Sequence, residues 1–375
     1  MTHLVEFLKI IDGALSHDLK KVSSYAQLLA DKLDTEGEHK AATRIRQAVR
    51  NPKNDLITAS AVTNTGRVPV DNDSRISLAD EQLFTTNQVA VFIESQIHNL
   101  LEQFISHIHS ADQLIAHGVG ISPSLLLYGP SGCGKTEIAH YISARLELPI
   151  LTARTDALIS SYLGNTAKNL RILFEHAMRR PCVLFLDELD ALAKLRDDQH
   201  ELGELKRVVV SLLQNIDALK NGTIIVGATN HEHLLDPAVW RRFAYKAHIN
   251  LPSESIRELL FAHFLGEYCS HQPSKLAANI SEGFTGADIR QVCEDSKREA
   301  IVTGKSAVDH DDLLAKILRL RWDREEANNG NFSEMIRKAR MVNPRVFTYR
   351  RLAKLFDISV GKAHEIVKSE VTNNG

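Results

Sequence analysis

Residues 129–136 read Gly129-Pro130-Ser131-Gly132-Cys133-Gly134-Lys135-Thr136. A glycine, four residues and then Gly-Lys-Thr is the spacing of a phosphate-binding loop. Its flanks agree. Leu125 to Tyr128 is a short apolar run that reads as a buried strand. Ile138, Tyr141, Ile142 and Leu146 recur at helical spacing over Glu137 to Leu146. Strand, glycine-rich loop and helix start therefore follow in the required order. The glycines let backbone N–H groups curl around a phosphate with no Cβ in the way. The helix start adds its partial positive charge. Lys135 is expected to reach the β- and γ-phosphates and Thr136 to bind Mg²⁺.

Working outward, Val183 to Leu186 is an apolar run that reads as a buried parallel strand, with Asp187-Glu188 at its C-terminal end. Open α/β sheets keep their ligand chemistry there. Asp187 is expected in the Mg²⁺ shell, and Glu188 to polarise a water that attacks the γ-phosphate. A solvated carboxylate pair after a strand is the plainer alternative. Pro149 to Thr152 reads as another strand, and Asn169 to Met178 as a helix. Thr223 to Asn230 is a further β-branched strand ending in a polar residue that can position the same water. Asp236-Pro237 reads as an N-cap and first helical residue, and the helix it starts delivers Trp240-Arg241-Arg242-Phe243. Read alone, Arg241 and Arg242 also fit a solvated helix end.

The flanking regions are less informative. Thr2 to Arg50 reads as helices with apolar stripes at Leu4, Phe7, Leu8 and Ile11, then at Leu19, Val22, Tyr25, Ala26 and Leu29. A third stripe falls at Ala41, Ile45 and Ala48 beyond a break at Gly37. This is a small helical bundle over 1–50, suited to selecting a partner or to holding an oligomer together. Residues 51–82, rich in Asn, Thr, Ser and Asp, read as a linker. Helical patterning returns from Leu83 to Ile115. Its histidines His98, His107 and His109 lack metal-ligand spacing and read as ordinary helix-surface residues.

Composition sets bounds. Three hundred and seventy-five residues with 43% hydrophobic and 25% charged content suit two or three soluble domains. Net charge of −2 excludes a uniformly basic nucleic-acid coat. Cys133, Cys182, Cys269 and Cys293 show no paired spacing, which fits a reducing cytoplasm. No signal peptide and no membrane-length apolar run is expected.

Taken together, these motifs resemble the AAA family of ATPases within the AAA+ class. The resemblance covers roughly residues 114–304: the phosphate loop, Val183 to Arg196, Gly227 to Asn230, Asp236 to Phe243 and Phe284 to Ile289. The Trp-Arg-Arg-Phe form, and Gln199 to Arg207, look most like the katanin, spastin and Vps4 branch. The resemblance implies a parallel five-stranded α/β domain over 83–251, a helical lid over 252–321, and a homo-oligomeric, hexameric ring with ATP and Mg²⁺ between subunits. It makes Asn230 the polar sensor and Arg241 and Arg242 arginine fingers on the neighbour's γ-phosphate. It puts Gly286 and Ala287 where the lid meets the base. Tyr162-Leu163-Gly164 matches the family's aromatic pore loop, which grips an extended polypeptide. The alternative is a buried tyrosine at a turn. This loop continues with Asn165-Thr166 where the family usually has Glu-Ser. In the phosphate loop, Ser131 and Cys133 replace the usual Pro and Thr. Neither change removes a needed N–H or charge.

Beyond the core, residues 334–375 carry nine Lys or Arg against four Asp or Glu. Tyr349, Leu352, Ala353 and Phe356 form one apolar face. Asp357-Ile358-Ser359 reads as a turn with an N-cap, and Ala363, Ile366 and Val367 face back from a second helix. This resembles a helix-turn-helix, with Lys362, His364 and Lys368 as DNA contacts. A helical cap packed on the ring or on a partner protein is the alternative. The leading expectation is thus a ring that threads a protein substrate. Neither GxSxG nor HExxH is present, so proteolysis would fall to a separate partner. The layout is similar to the ATPase half of bacterial pairs that couple an AAA protein to a subtilisin-like protease, some of them acting in antiviral defence. The second expectation is an AAA ATPase that docks on DNA through its tail. A nucleotide-gated scaffold is a third, which Glu188, Arg241 and Arg242 argue against.

Overall fold

In a computed structural model of the protein, residues 9, 11, 19–35, 38–50, 68–71, 75–159, 163–193, 202–219, 222–269, 273–326, 332–342 and 344–368 are described. The chain divides into two units, Met1–Thr58 and Ala59–Gly375. The first contains helices α1 (Leu19–Thr35) and α2 (His39–Arg50). Ala26, Leu29, Ala30 and Ala42 are buried between them. Arg46 ties them together, donating to Asp31 and Asp34 at 2.7 Å each. Of the first expected stripe, Leu4, Phe7 and Leu8 lie outside the described residues and Ile11 is exposed.

The second unit is built on a six-stranded sheet: β1 (Ala79–Gln82), β2 (Ser124–Tyr128), β3 (Ile150–Ala153), β4 (Cys182–Leu186), β5 (Thr223–Thr229) and β6 (Tyr245–His248), in the order β1-β3-β4-β5-β2-β6. Five strands are parallel, as expected. The sixth, β1, pairs antiparallel with β3, which corrects the five-stranded expectation. It also takes Leu78 to Gln82 out of the expected linker, because Leu78 and Ala79 are fully buried and β1 is part of the sheet; residues 51–67 lie outside the described residues. The polar neighbours of Leu78 and Ala79 had suggested a loop. The edge is closed by an ion pair between Glu81 and Arg180 and by the Arg154 N–H donating to the Leu78 carbonyl at 2.9 Å.

The central strands read as continuous apolar runs because helices cover them: every residue of β4 and β5 is buried. The covering elements on this unit are α3 (Ser95–His109), α4 (Ala111–Ala116), α5 (Lys135–Leu146), α6 (Thr155–Leu158), α7 (Leu163–Ala177), α8 (Leu189–Ala193), α9 (Leu202–Asp217) and α10 (Pro237–Arg242). Three sequence expectations shift. Residues 83–94 are not helical, since α3 begins only at Ser95. Helix α7 begins at Leu163, six residues before the predicted start, and so takes in Leu163 and Gly164. Tyr162 lies outside the described residues. His107 is not a free surface residue, because its Nδ1 meets the Tyr245 hydroxyl.

Helices α11 (Glu254–Leu265), α12 (Pro273–Ile280), α13 (Gly286–Val302), α14 (His310–Glu326), α15 (Phe332–Val342), α16 (Tyr349–Leu355) and α17 (Val360–Lys368) follow among the described residues. A capping box, with Thr285 and Asp288 bonding each other's backbone N–H, starts α13. One buried core runs through all seven, from Phe261 and Ile289 to Phe347, Leu352 and Ala363. The C-terminal segment, expected as a separate piece, therefore shares its core with the helices of 252–321.

Candidate nucleotide site

The site begins where β2 ends. Gly129 has φ 133°, and a Cβ there would lie 2.2 Å from the Ile249 carbonyl oxygen. The Ile249 N–H donates to the Tyr128 carbonyl at 2.8 Å, so the backbone following β6 lies against the loop. No side chain fits between them. Gly129→Ala is expected to lower thermal stability and nucleotide affinity together, because the strain is backbone against backbone. A thermal melt run beside a nucleotide titration checks this. Unchanged values for both would contradict the close approach.

Lys135 is buried at the start of α5 and donates to the Gly129 and Pro130 carbonyls, each at 2.7 Å. Burial pulls its pKa below the ordinary lysine value, with Asp187, Glu232 and Asp190 opposing the shift. An anion in front of it would relieve that cost. Burial pushes the Cys133 thiol up, which keeps that loop residue neutral. At the loop's far side, the Ala287 N–H donates to the Gly132 carbonyl at 3.0 Å. The start of α13 thus sits on the phosphate loop, bringing Gly286 and Ala287 to the site.

Across the cleft, Thr136 Oγ1 donates to Asp187 Oδ2 at 3.1 Å. Two oxygens of the kind that bind Mg²⁺ are already adjacent. Among the described residues no group of three or more His, Cys, Asp or Glu forms a metal cage, so an ion here would draw its other ligands from phosphate and water. Glu188 is exposed and has φ 51°, left-handed for a residue with a Cβ. That conformation costs about 1–3 kcal/mol and persists only where the surroundings hold it. Here the Glu188 N–H donates to Asp187 Oδ1 at 2.9 Å, and Thr155 Oγ1 to the Asp187 carbonyl at 3.1 Å. The carboxylate at the end of β4 is turned outward by its own backbone.

Asn230 follows β5 and is half-buried. The strand end is pinned by Thr229 Oγ1 donating to Asp190 Oδ1 at 2.6 Å. A cavity of about 910 Å³ gathers Ser131 to Glu137, Asp187, Glu188, Asn230, Gly286 and Ala287. Its other walls were not anticipated. Phe92, in the supposed helical stretch, and His263 of α11 face each other with ring centroids 5.0 Å apart. Ile249, Ile256, Leu260 and Phe264 complete an apolar end. The helical spacing of Ile256, Leu260, His263 and Phe264 was the available signal. Phe92 gave none beyond an apolar run, Ala90 to Ile93.

Arg241 and Arg242 do not line this cavity. They end α10, whose N-cap Asp236 accepts from the Ala238 N–H at 2.7 Å. Phe243 after them is fully buried beside Gly227, where a Cβ would lie 2.9 Å from the phenyl ring. That anchor leaves both arginines exposed. Arg242 is held by Asp217 through two bonds, at 2.7 and 3.0 Å.

Residues 125–251 match the model of the ATPase family associated with various cellular activities (AAA). An uncharacterized AAA family ATPase, y4kL, of Sinorhizobium fredii is 39% identical over 210 residues, which is 56% of this chain and 63% of that protein. The 26S proteasome regulatory subunit 10B homolog A of Arabidopsis thaliana is 34% identical, over 54% of this chain and 53% of that protein. The proteasome-activating nucleotidase of Sulfurisphaera tokodaii is 31% identical, over 58% of each. The chain thus spans between about half and two thirds of the length of these relatives.

Proposed function

We propose that the AAA ATPase domain carried by this chain hydrolyses ATP and uses the energy to remodel a protein substrate. The observation that carries the first part is the shared cavity, where Lys135, the Thr136–Asp187 pair, Glu188 and Asn230 converge with the start of α13. On this reading Lys135 exchanges its two carbonyl partners for oxygens of the β- and γ-phosphates. Thr136 and Asp187 would hold Mg²⁺, which when bound neutralises charge on those phosphates. Glu188 takes the proton of a water oriented with help from Asn230. The water oxygen bonds to the γ-phosphorus as the bond to the β–γ bridging oxygen breaks, leaving ADP and phosphate. Phe92 and His263 form the apolar end, which suits a flat base.

Ring assembly belongs to the same reading. Arg241 and Arg242 are exposed and do not line their own chain's cavity, which suits groups that act on a neighbour's site. The relatives named for the proteasome support a protein as the thing acted on, and a separate protease as a partner. The katanin, spastin and Vps4 likeness of the Trp-Arg-Arg-Phe segment supports mechanical remodelling. Pairing with a subtilisin-like protease in defence rests on layout alone. Among the described residues no helix is long and apolar enough to cross a membrane.

Tyr162 tests the mechanical part. Its grip on a polypeptide depends on ring contact area, so Tyr162→Ala should keep basal phosphate release within about twofold while losing substrate processing. Tyr162→Phe should retain both. The two variants are compared for phosphate release and for biological activity of the full chain. Full activity in Tyr162→Ala would defeat threading.

A further inference from the structure

We propose that the unit formed by α15, α16 and α17 binds duplex DNA, with α17 lying in the major groove. The inference is independent of ATP hydrolysis and goes beyond the remodelling function.

The backbone between α16 and α17 carries the first argument. The Phe356 N–H donates to the Leu352 carbonyl at 3.0 Å, closing α16. Asp357 then takes a left-handed conformation, φ 51°. Asp is one of the few non-glycine residues that tolerate it. The Ile358 N–H returns to the Ala353 carbonyl at 2.9 Å, and Ser359 Oγ caps α17 by accepting from the Lys362 N–H at 3.1 Å. Two helices joined by a turn this short fit the helix-turn-helix arrangement, whose second helix reads the major groove.

Burial sorts the side chains. Leu352, Ala353 and Leu355 of α16 and Ala363 and Ile366 of α17 are buried in the common core. The small Ala353 and Ala363 permit close helix approach. Helix α15 completes the unit: Arg337 Nε donates to the Ile366 carbonyl at 2.9 Å, and Arg340 Nη1 to the Phe347 carbonyl at 2.7 Å. Asp311 of α14 accepts from Arg351 Nε at 2.8 Å and from Lys354 Nζ at 3.0 Å, which fixes the unit to α14.

Exposed on α17 are Val360, Gly361, Lys362, His364, Glu365 and Lys368, with the His364 ring packed edge-on against Tyr349 at 4.8 Å between centroids. Among the described side chains of the three helices, Met341 of α15 and Val360 of α17 are the exposed large apolar ones, on different helices. An amphipathic partner helix would need a row of such anchors. Charge favours phosphate instead: residues 344–368 carry six Lys or Arg against two Asp or Glu, in a chain of net charge −2, and with Arg351 and Lys354 given to Asp311 the balance still favours cations. Arg350 is exposed on α16, the helix that crosses the DNA backbone in this arrangement. Gly361 has only Ser359 Oγ near the position of a Cβ, at 4.0 Å. Packing does not require glycine there, and its absent side chain lets a base edge or phosphate come close to the helix.

The test uses the full chain and a labelled random-sequence duplex of about 30 base pairs, followed by fluorescence anisotropy from about 50 mM salt upward. Binding should weaken steeply with salt. Lys362→Glu with Lys368→Glu should reduce affinity tenfold or more and flatten the salt slope by about one per lost contact, while phosphate release stays unchanged. The pair Lys362→Gln and Lys368→Gln, with melts recorded for both, replaces the reversal if it disturbs folding. Three results would overturn the proposal: no duplex binding at the lowest salt, wild-type affinity in the folded double variant, or equal affinity for the single strand alone.

Discussion

Glu188→Gln is expected to bind ATP with near-normal affinity and to hydrolyse it about 10² to 10⁴ times more slowly, the usual worth of a positioned general base. The amide keeps the side chain's size and the backbone of the turn, but it cannot take the proton. Lys135→Ala should fail one step earlier. Its ammonium is buried against two carbonyls, and truncation removes the positive charge facing the phosphates, so tight ATP binding is lost. Fluorescent-nucleotide titration and phosphate release measured on the same preparations separate the two outcomes. Normal turnover in Glu188→Gln would remove the role given to the strained carboxylate. ATP binding that survives in Lys135→Ala would remove the phosphate role of the loop.

The second large effect concerns the proposed ring. Arg241→Ala should cut turnover by about 10³-fold or more with little change in nucleotide affinity, as loss of an arginine finger does in other nucleotide hydrolases. Arg242→Ala should also cut turnover. It starts from an exposed two-bond pair with Asp217, a kind of contact that is readily given up in water. If each cavity is completed by the next chain, mixing Arg241→Ala protein with Lys135→Ala protein should restore measurable turnover. One contributes the intact pocket and the other the arginine. A mixture that exchanges subunits yet stays inactive would mean that the arginines serve their own chain.

The parts legible along the chain are those whose constraint is local. A phosphate loop must place backbone N–H groups, a lysine and a hydroxyl within eight residues, so its sequence declares it. The same holds for Asp187-Glu188 at the end of an apolar run, for Asp236-Pro237 at a helix start, and for the turn at Asp357 to Ser359. The parallel core followed from unbroken apolar strands separated by helices. What stayed illegible depends on partners far away in sequence. Strand β1 reads Ala-Asp-Glu-Gln, and nothing within it foretells an antiparallel partner about seventy residues on or an ion pair from Glu81 to Arg180. Phe92 joins the cavity only because it meets His263 across the fold. Glu188's left-handed backbone is held by bonds involving Asp187 and Thr155, not by its own residue type. The C-terminal helices looked detachable because each has a complete amphipathic pattern. Such a pattern states that a face must be buried without naming what buries it. Close packing supplied the answer, joining Phe347, Leu352 and Ala363 to the core of Phe261 and Ile289.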